Sequence, residues 1–168
     1  GEKKEESHWF AIMISTSENT LATVMKSDPT GGQKVRMVDI DCNGEFGAFN
    51  DTRGQAPNAF ASNVDNARRL HYGTAAQVYL KHLVRLRNES DGDEKIINSI
   101  SEIKDQILKE SGIADAKVKG DADVIAKRLA LAAAGAEMAV DWGVLPWKPG
   151  RATEVCSEVF RDWYAENG

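Results

Sequence analysis

Two stretches decide the architecture: Asp91–Gly112, DGDEKIINSISEIKDQILKESG, and Asp121–Trp142, DADVIAKRLALAAAGAEMAVDW. In the first, Ile96, Ile100, Ile103 and Ile107 recur at spacings of four, three and four. That spacing puts them on one narrow face of an amphipathic helix. Ser111-Gly112 predicts its end. In the second, Asp121 or Asp123 opens the longest apolar helix, which runs to about Trp142. Its segment LALAAAGAEMA has small side chains on several faces, so neighbouring backbones can pack closely. Gly143 is well placed as the residue after the helix end. Pro146 and Pro149 mark a loop, with Pro149 at or near the start of a last helix. Val155, Val159, Phe160 and Trp163 are expected to give that helix its buried side.

Toward the N-terminus the helical period continues back to Ser62. Ser62 or Asn63 is expected to cap a first helix through about Tyr72. Gly73-Thr74 interrupts the pattern, and Thr74 is expected to cap a second helix to about Arg87. Its apolar stripe is Ala76, Val78, Tyr79, Leu80, Leu83, Val84 and Leu86. Asn88 to Asp93 reads as a polar linker and 112–120 as a connection.

Residues 9–60 are different: they read as β-containing and loop-rich. Trp9–Ile14 (WFAIMI) is a short bulky apolar run, which suits a strand covered on both faces. The hydroxyl- and amide-rich STSENT follows it. Ser27–Gly32 (SDPTGG) is a turn signal, and Lys34–Asp41 (KVRMVDID) alternates as a second strand. Residues 42–60, with Gly44, Gly47, Gly54 and Pro57, read as loop. The predicted class is therefore α+β and mostly α. Two or more short strands precede a bundle of about five helices, divided as 8–60 and 61–166.

A chain of 168 residues with 42% hydrophobic and 28% charged residues can bury a core. The net charge is −5. Phosphate neutralisation supplies most nucleic-acid affinity, so this balance argues against a dedicated DNA-binding module while leaving room for a local basic patch. Cys42 and Cys156 are far apart and form no C-x-x-C pair, which speaks against structural zinc and suits reduced thiols in a cytoplasmic protein. The opening GEKKEESHWF is charged, unlike a signal peptide. No apolar run approaches the roughly 20 residues of a membrane helix.

The sequence holds no G-x-x-x-x-G-K-[ST] phosphate loop, no G-x-G-x-x-G fingerprint and no G-x-S-x-G elbow. His8, His71 and His82 are dispersed, so spacing suggests neither a metal site nor a Ser-His pair. Asp39 and Asp41 form a D-x-D pair that can hold magnesium or simply end a strand. No metal site is expected, for want of a third acidic partner. Arg36 interrupts an apolar strand; it either packs its stem at an edge or reaches a phosphate. Arg68, Arg69, His71, Lys81, His82, Arg85 and Arg87 give residues 68–87 a basic bias. Lys81, Arg85 and Asn88 share a helical face that suits nucleic-acid backbone, or else a solvated surface. Of Lys127-Arg128, one is expected to face outward.

The order of these segments carries a resemblance. ISTSE after an apolar strand is followed by GQKVRMVDI, RLHYGTAAQVYLKHLV and AKRLALAAAGAEMAVDWGVLPW. A final helix ends in F-R-D-W. Together, from about His8 to Trp163, they resemble the carboxy-terminal half of the helicase-like domain-of-unknown-function nine-two-seven family. That family occurs in phages, plasmids and chromosomal cassettes, and its members look like hexameric AAA+-type P-loop ATPases. The resemblance implies a fragment that is inactive alone, with ATP and magnesium bound by the parent protein and no cofactor bound by the fragment. Thr16 would be a sensor, Arg36 an arginine finger acting on a neighbouring subunit, and Arg128 a second sensor. The implied partners are the upstream ATPase portion, further copies in an oligomer, and DNA. The chain departs from the family in lacking the phosphate loop and the acidic magnesium strand. It also has STSE at Ser15–Glu18 where S-T-G-E is usual. The isoleucine-striped helix lies outside the resemblance.

The alternative reading is a non-catalytic helical module that binds a protein or DNA. A stand-alone hydrolase built on Asp39, Asp41 and a histidine finds no supporting spacing. Two strands cut from a larger sheet would leave open edges, so self-association through residues 9–41, or burial of that segment against the helices, is expected.

Overall fold

The computed structural model describes residues 14–20, 23–24, 38–113 and 120–167, and these are mostly helical. Five helices follow one another: α1 (Pro57–Leu70), α2 (Thr74–Arg87), α3 (Gly92–Ser111), α4 (Asp121–Asp141) and α5 (Arg151–Asn167). α3, α4 and α5 pack against one another in all three pairings, while α2 touches α3 and α1 has no extensive helix–helix packing. The result is a three-helix bundle preceded by a helical arm. Among the described residues no helix is long and apolar enough to cross a membrane.

The core sits between α3, α4 and α5. Ile107, Ile125 and Phe160 are completely buried and form its centre, with Leu108 and Trp163 beside them. Ile100 and Ile103 pack against this cluster, so with Ile107 three of the four isoleucines of the stripe face the bundle as their spacing predicts. Each large side chain buried here contributes roughly 1.5–3 kcal/mol. α4 adds Ala122, Ala126, Ala130, Ala133, Ala134 and Ala139 to the buried set. An alanine removes little area from water. Its value is that it lets α3 and α5 approach the α4 backbone closely.

Several ends form where the sequence places them. Gly112 and Gly143 follow α3 and α4 with φ values of 73° and 69°, left-handed backbone that costs glycine nothing. Beyond α4, the Val144 and Leu145 amides both donate to the Ala139 carbonyl, at 2.7 and 3.0 Å, which closes the helix end. α5 starts two residues after Pro149.

Other ends differ from expectation. α1 begins at Pro57, ahead of Ser62 and Asn63, and ends at Leu70. Proline lacks the amide hydrogen that a first-turn residue leaves unpaired anyway, so Pro57 at the first position displaces the start upstream. Ser62 does not cap; its hydroxyl donates to the Asn58 carbonyl at 2.8 Å inside the helix. Thr74 is the first residue of α2 rather than its cap, a place taken by Gly73. Gly92 already belongs to α3, so the 88–93 linker is shorter than predicted. On α5, Val155 is exposed, and the buried side runs through Ala152, Thr153, Ser157, Phe160 and Trp163 instead. Thr153 and Ser157 look like surface residues by composition, but both hydroxyls find partners within the fold.

The expected strands at Trp9–Ile14 and Lys34–Asp41 lie outside the described residues except for Ile14 and 38–41, which show no strand pairing. Residues 42–56 are loop, as expected, but 57–60, also expected as loop, form the first turn of α1. Isolated antiparallel bridges join Gly44 to Gly47 and Phe46 to Phe49. Phe49 meets Phe60 of α1 edge-on at 5.0 Å. Buried Thr52 donates its hydroxyl to the Gln55 carbonyl at 2.8 Å, which folds the chain into α1.

Two polar cross-links tie the bundle. The Glu137 carboxylate of α4 accepts the Gly150 amide at 2.8 Å and the Thr153 amide at 3.1 Å, so a side chain from another helix caps the start of α5. Asp123 of α4 bridges Lys104 of α3 and Lys127, both at 2.6 Å.

Candidate nucleic-acid interface

α2 is held to the bundle by aromatic contacts. Tyr79 and His82, three residues apart and hence on one side of the helix, both meet Trp142 at the end of α4. The His82 imidazole lies nearly parallel to the indole, with centroids 5.3 Å apart and 14° between planes. The Tyr79 ring is tilted by 57° at 5.1 Å. Both arrangements fall within the range where aromatic pairs attract beyond simple area burial. Burial pushes the Tyr79 hydroxyl up from its ordinary pKa.

The flank of α2 next to this contact forms a shallow depression of about 150 Å³ lined by Val78, Lys81, His82 and Arg85. These positions, i, i+3, i+4 and i+7, are one continuous patch of helix surface. Lys81 and Arg85 are therefore brought together, as their spacing predicts. Both are exposed.

Local charge is concentrated here. Residues 57–88 hold five basic residues against Asp65 alone, in a chain of net charge −5. Asp65 takes both Arg68 and Arg69, at 2.6 and 2.8 Å. Arg87 pairs with Asp93 at 2.8 Å, and the hydrogen bond and charge of Asp93 raise the guanidinium pKa. Among the described residues, Lys81 and Arg85 have no acidic partner. They are the two Lys and Arg side chains of the arm with no ion pair among the described residues.

The remaining candidates do not assemble with this patch. Thr16 is exposed in a segment without regular structure, and Ser15 likewise. Arg36 lies outside the described residues. Arg128 is exposed on α4 and is itself engaged in an interaction; its neighbour Lys127 pairs with Asp123. Asp41 accepts the Asn43 amide at 2.9 Å, the turn-forming role of its two readings. Among the described residues no three His, Cys, Asp or Glu side chains gather as a metal site. Cys42 and Cys156 are free thiols, and burial, with the Glu137 carboxylate nearby, pushes the Cys156 thiol up.

Sequence reasoning missed Trp142 as the partner of His82, because the two are remote in the chain. The signal that existed was Tyr79 and His82 at a three-residue spacing, two rings on one helix side.

Fold and patch together define a three-helix bundle that presents a basic helical arm. No protein-family model, curated protein or solved structure matches the chain.

Proposed function

We propose that this chain is a non-catalytic helical part of a helicase-like, DNA-processing ATPase, in which α2 contacts the nucleic-acid backbone. The observation that carries the contact is the placement of Lys81 and Arg85 side by side, exposed and without an acidic partner. Phosphate contacts of this kind supply sequence-independent affinity and fix the register of a protein on its nucleic acid. The ATPase setting rests on the ordered resemblance across His8–Trp163. In that setting ATP and magnesium belong to an upstream portion, and Arg36, Thr16 and Arg128 serve as finger and sensors.

The contact is tested by fluorescence anisotropy with labelled oligonucleotides between 50 and 200 mM salt, chosen because phosphate contacts weaken steeply over about that range. Affinity is expected to fall as salt rises, and Lys81→Ala/Arg85→Ala to flatten the salt slope by about one per cation removed. An unchanged slope in the double variant removes the contact. The ATPase setting is tested separately in the parent protein: Arg36→Ala subunits mixed with wild type are expected to poison ATP hydrolysis.

A second reading is supported by Leu80 and Val84, one turn apart on another flank of α2 and 56% and 58% exposed. An uncovered apolar pair at that spacing suits a protein partner, here the ATPase portion that the resemblance implies. Leu80→Ser/Val84→Ser is expected to weaken association with that portion in a pull-down and to leave oligonucleotide binding intact.

A further inference from the structure

The depression on α2 is more than a pair of cations. His82, which lines it, stacks its ring on the Trp142 indole, and Val78 one turn away adds an apolar side chain to the lining. Lys81 and Arg85 stand on the same patch, also one turn apart. A planar aromatic ring, an apolar neighbour and two flanking cations are the ingredients by which proteins hold unpaired nucleotides: bases stack on the ring while the backbone follows the charge.

We infer that Val78, Lys81, His82 and Arg85 form a binding step for single-stranded nucleic acid, in which one base stacks over His82 and the adjoining phosphates meet Lys81 and Arg85. The inference rests on the backbone contact proposed above and adds the form of the ligand. In a duplex the base faces are occupied by their stacked neighbours, so a duplex presents only phosphates and groove edges to an open patch on one helix. A single strand can turn a base out at no cost in pairing.

The test compares three fluorescein-labelled probes at one salt concentration: a twelve-residue oligo-dT strand, its duplex with oligo-dA, and a strand of the same length with abasic residues. The dT strand is expected to bind most tightly, with roughly ten-fold loss for the abasic strand, the worth of one stacked base. His82→Ala is expected to lower dT affinity to the abasic level. His82→Phe, which keeps a ring on Trp142, is expected to retain it. Equal binding of dT and abasic strands overturns the stacking step while leaving the phosphate contact standing. Binding that is insensitive to Lys81→Ala/Arg85→Ala overturns both. Because the abasic comparison uses the unaltered protein, it reads the stacking step even where a substitution perturbs the α2 contact.

Discussion

The Glu137 carboxylate of α4 receives the Thr153 amide of α5 at 3.1 Å and stands 3.4 Å from the Thr153 hydroxyl. With the Gly150 amide at 2.8 Å, one side chain satisfies several of the donors that the start of α5 would otherwise leave open. A carboxylate here also lies at the positive end of the helix dipole. Glu137→Ala is expected to cost about 1–2 kcal/mol, in the range of a lost cap. Glu137→Gln is expected to cost less, because the amide oxygen still accepts. Chemical denaturation of both variants measures the difference, and equal losses would show that charge, rather than acceptor geometry, dominates.

Asp123 supplies a pH dependence. Its hydrogen bond from Lys104, and next that from Lys127, hold the carboxyl below the usual carboxylate range. The folded state therefore binds the proton less readily than the unfolded chain, whose carboxyl titrates near about 3.9. The stabilisation is complete above that value and is lost as the pH falls through the lowered folded one. Melting temperatures of wild type and Asp123→Asn, followed from neutral pH downward, are expected to differ at pH 6 and to converge in strong acid. A difference that is constant at all pH values would contradict the bridge.

Gly92 is buried where α3 starts, and a β-carbon there would overlap the Leu86 carbonyl carbon and oxygen of α2. Backbone cannot yield as a flexible side chain would. Gly92→Ala is expected to destabilise by about 1–3 kcal/mol, the usual cost of overpacking, even though alanine is the better helix former. Thermal unfolding by circular dichroism checks the sign. A stabilised variant would mean that α2 and α3 separate readily.

Ala130 and Ala133 are completely buried on α4. Ala130→Leu adds volume to an interface made for close backbone approach and is expected to cost about 1–3 kcal/mol. Ile107→Ala removes a completely buried side chain and is expected to cost about 2–5 kcal/mol. Comparing the two in one denaturation series tells whether the bundle is limited by filled volume or by helix separation.

The bundle was legible because its signals are local and repeated. The isoleucine spacing, Gly112, Gly143 and Pro149 each reflect a rule that acts within one or two turns, and each holds. The start of α1 was misread because two rules compete there. Ser62 and Asn63 have the chemistry of a cap, yet Pro57 is already suited to the first turn, and nothing local ranks one above the other. Val155 failed for a related reason. Its apolar side chain suggested the core, whereas Thr153 and Ser157 occupy it, because Glu137 and the Thr153 carbonyl accept their protons. The Ser157 hydroxyl also lies 3.0 Å from the Glu110 carboxylate; with a single proton it serves one acceptor at a time.

At the candidate interface the pairing of Lys81 with Arg85 was readable from a four-residue spacing, since neighbours on a helix surface need no tertiary information. The His82–Trp142 stack was not, because it joins residues sixty positions apart. The site roles drawn from resemblance, for Thr16, Arg36 and Arg128, would require a nucleotide pocket, and no spacing within the sequence supplies one.

Neither α1 nor α2 contributes a single buried residue, and Leu70 at the end of α1 and Tyr72 just beyond it are 76% and 79% exposed. Cooperativity is consequently divided. Amide hydrogens of α1, which has no extensive helix packing, are expected to exchange first, those of α2 next because Trp142 and Gly92 tie it to the bundle, and those of α4 last. Mutational drift is divided in the same way. Substitutions on the exposed faces of α1 and α2 are expected to leave the stability of the bundle nearly untouched, so the surface of the arm can vary at little cost to the scaffold beneath it.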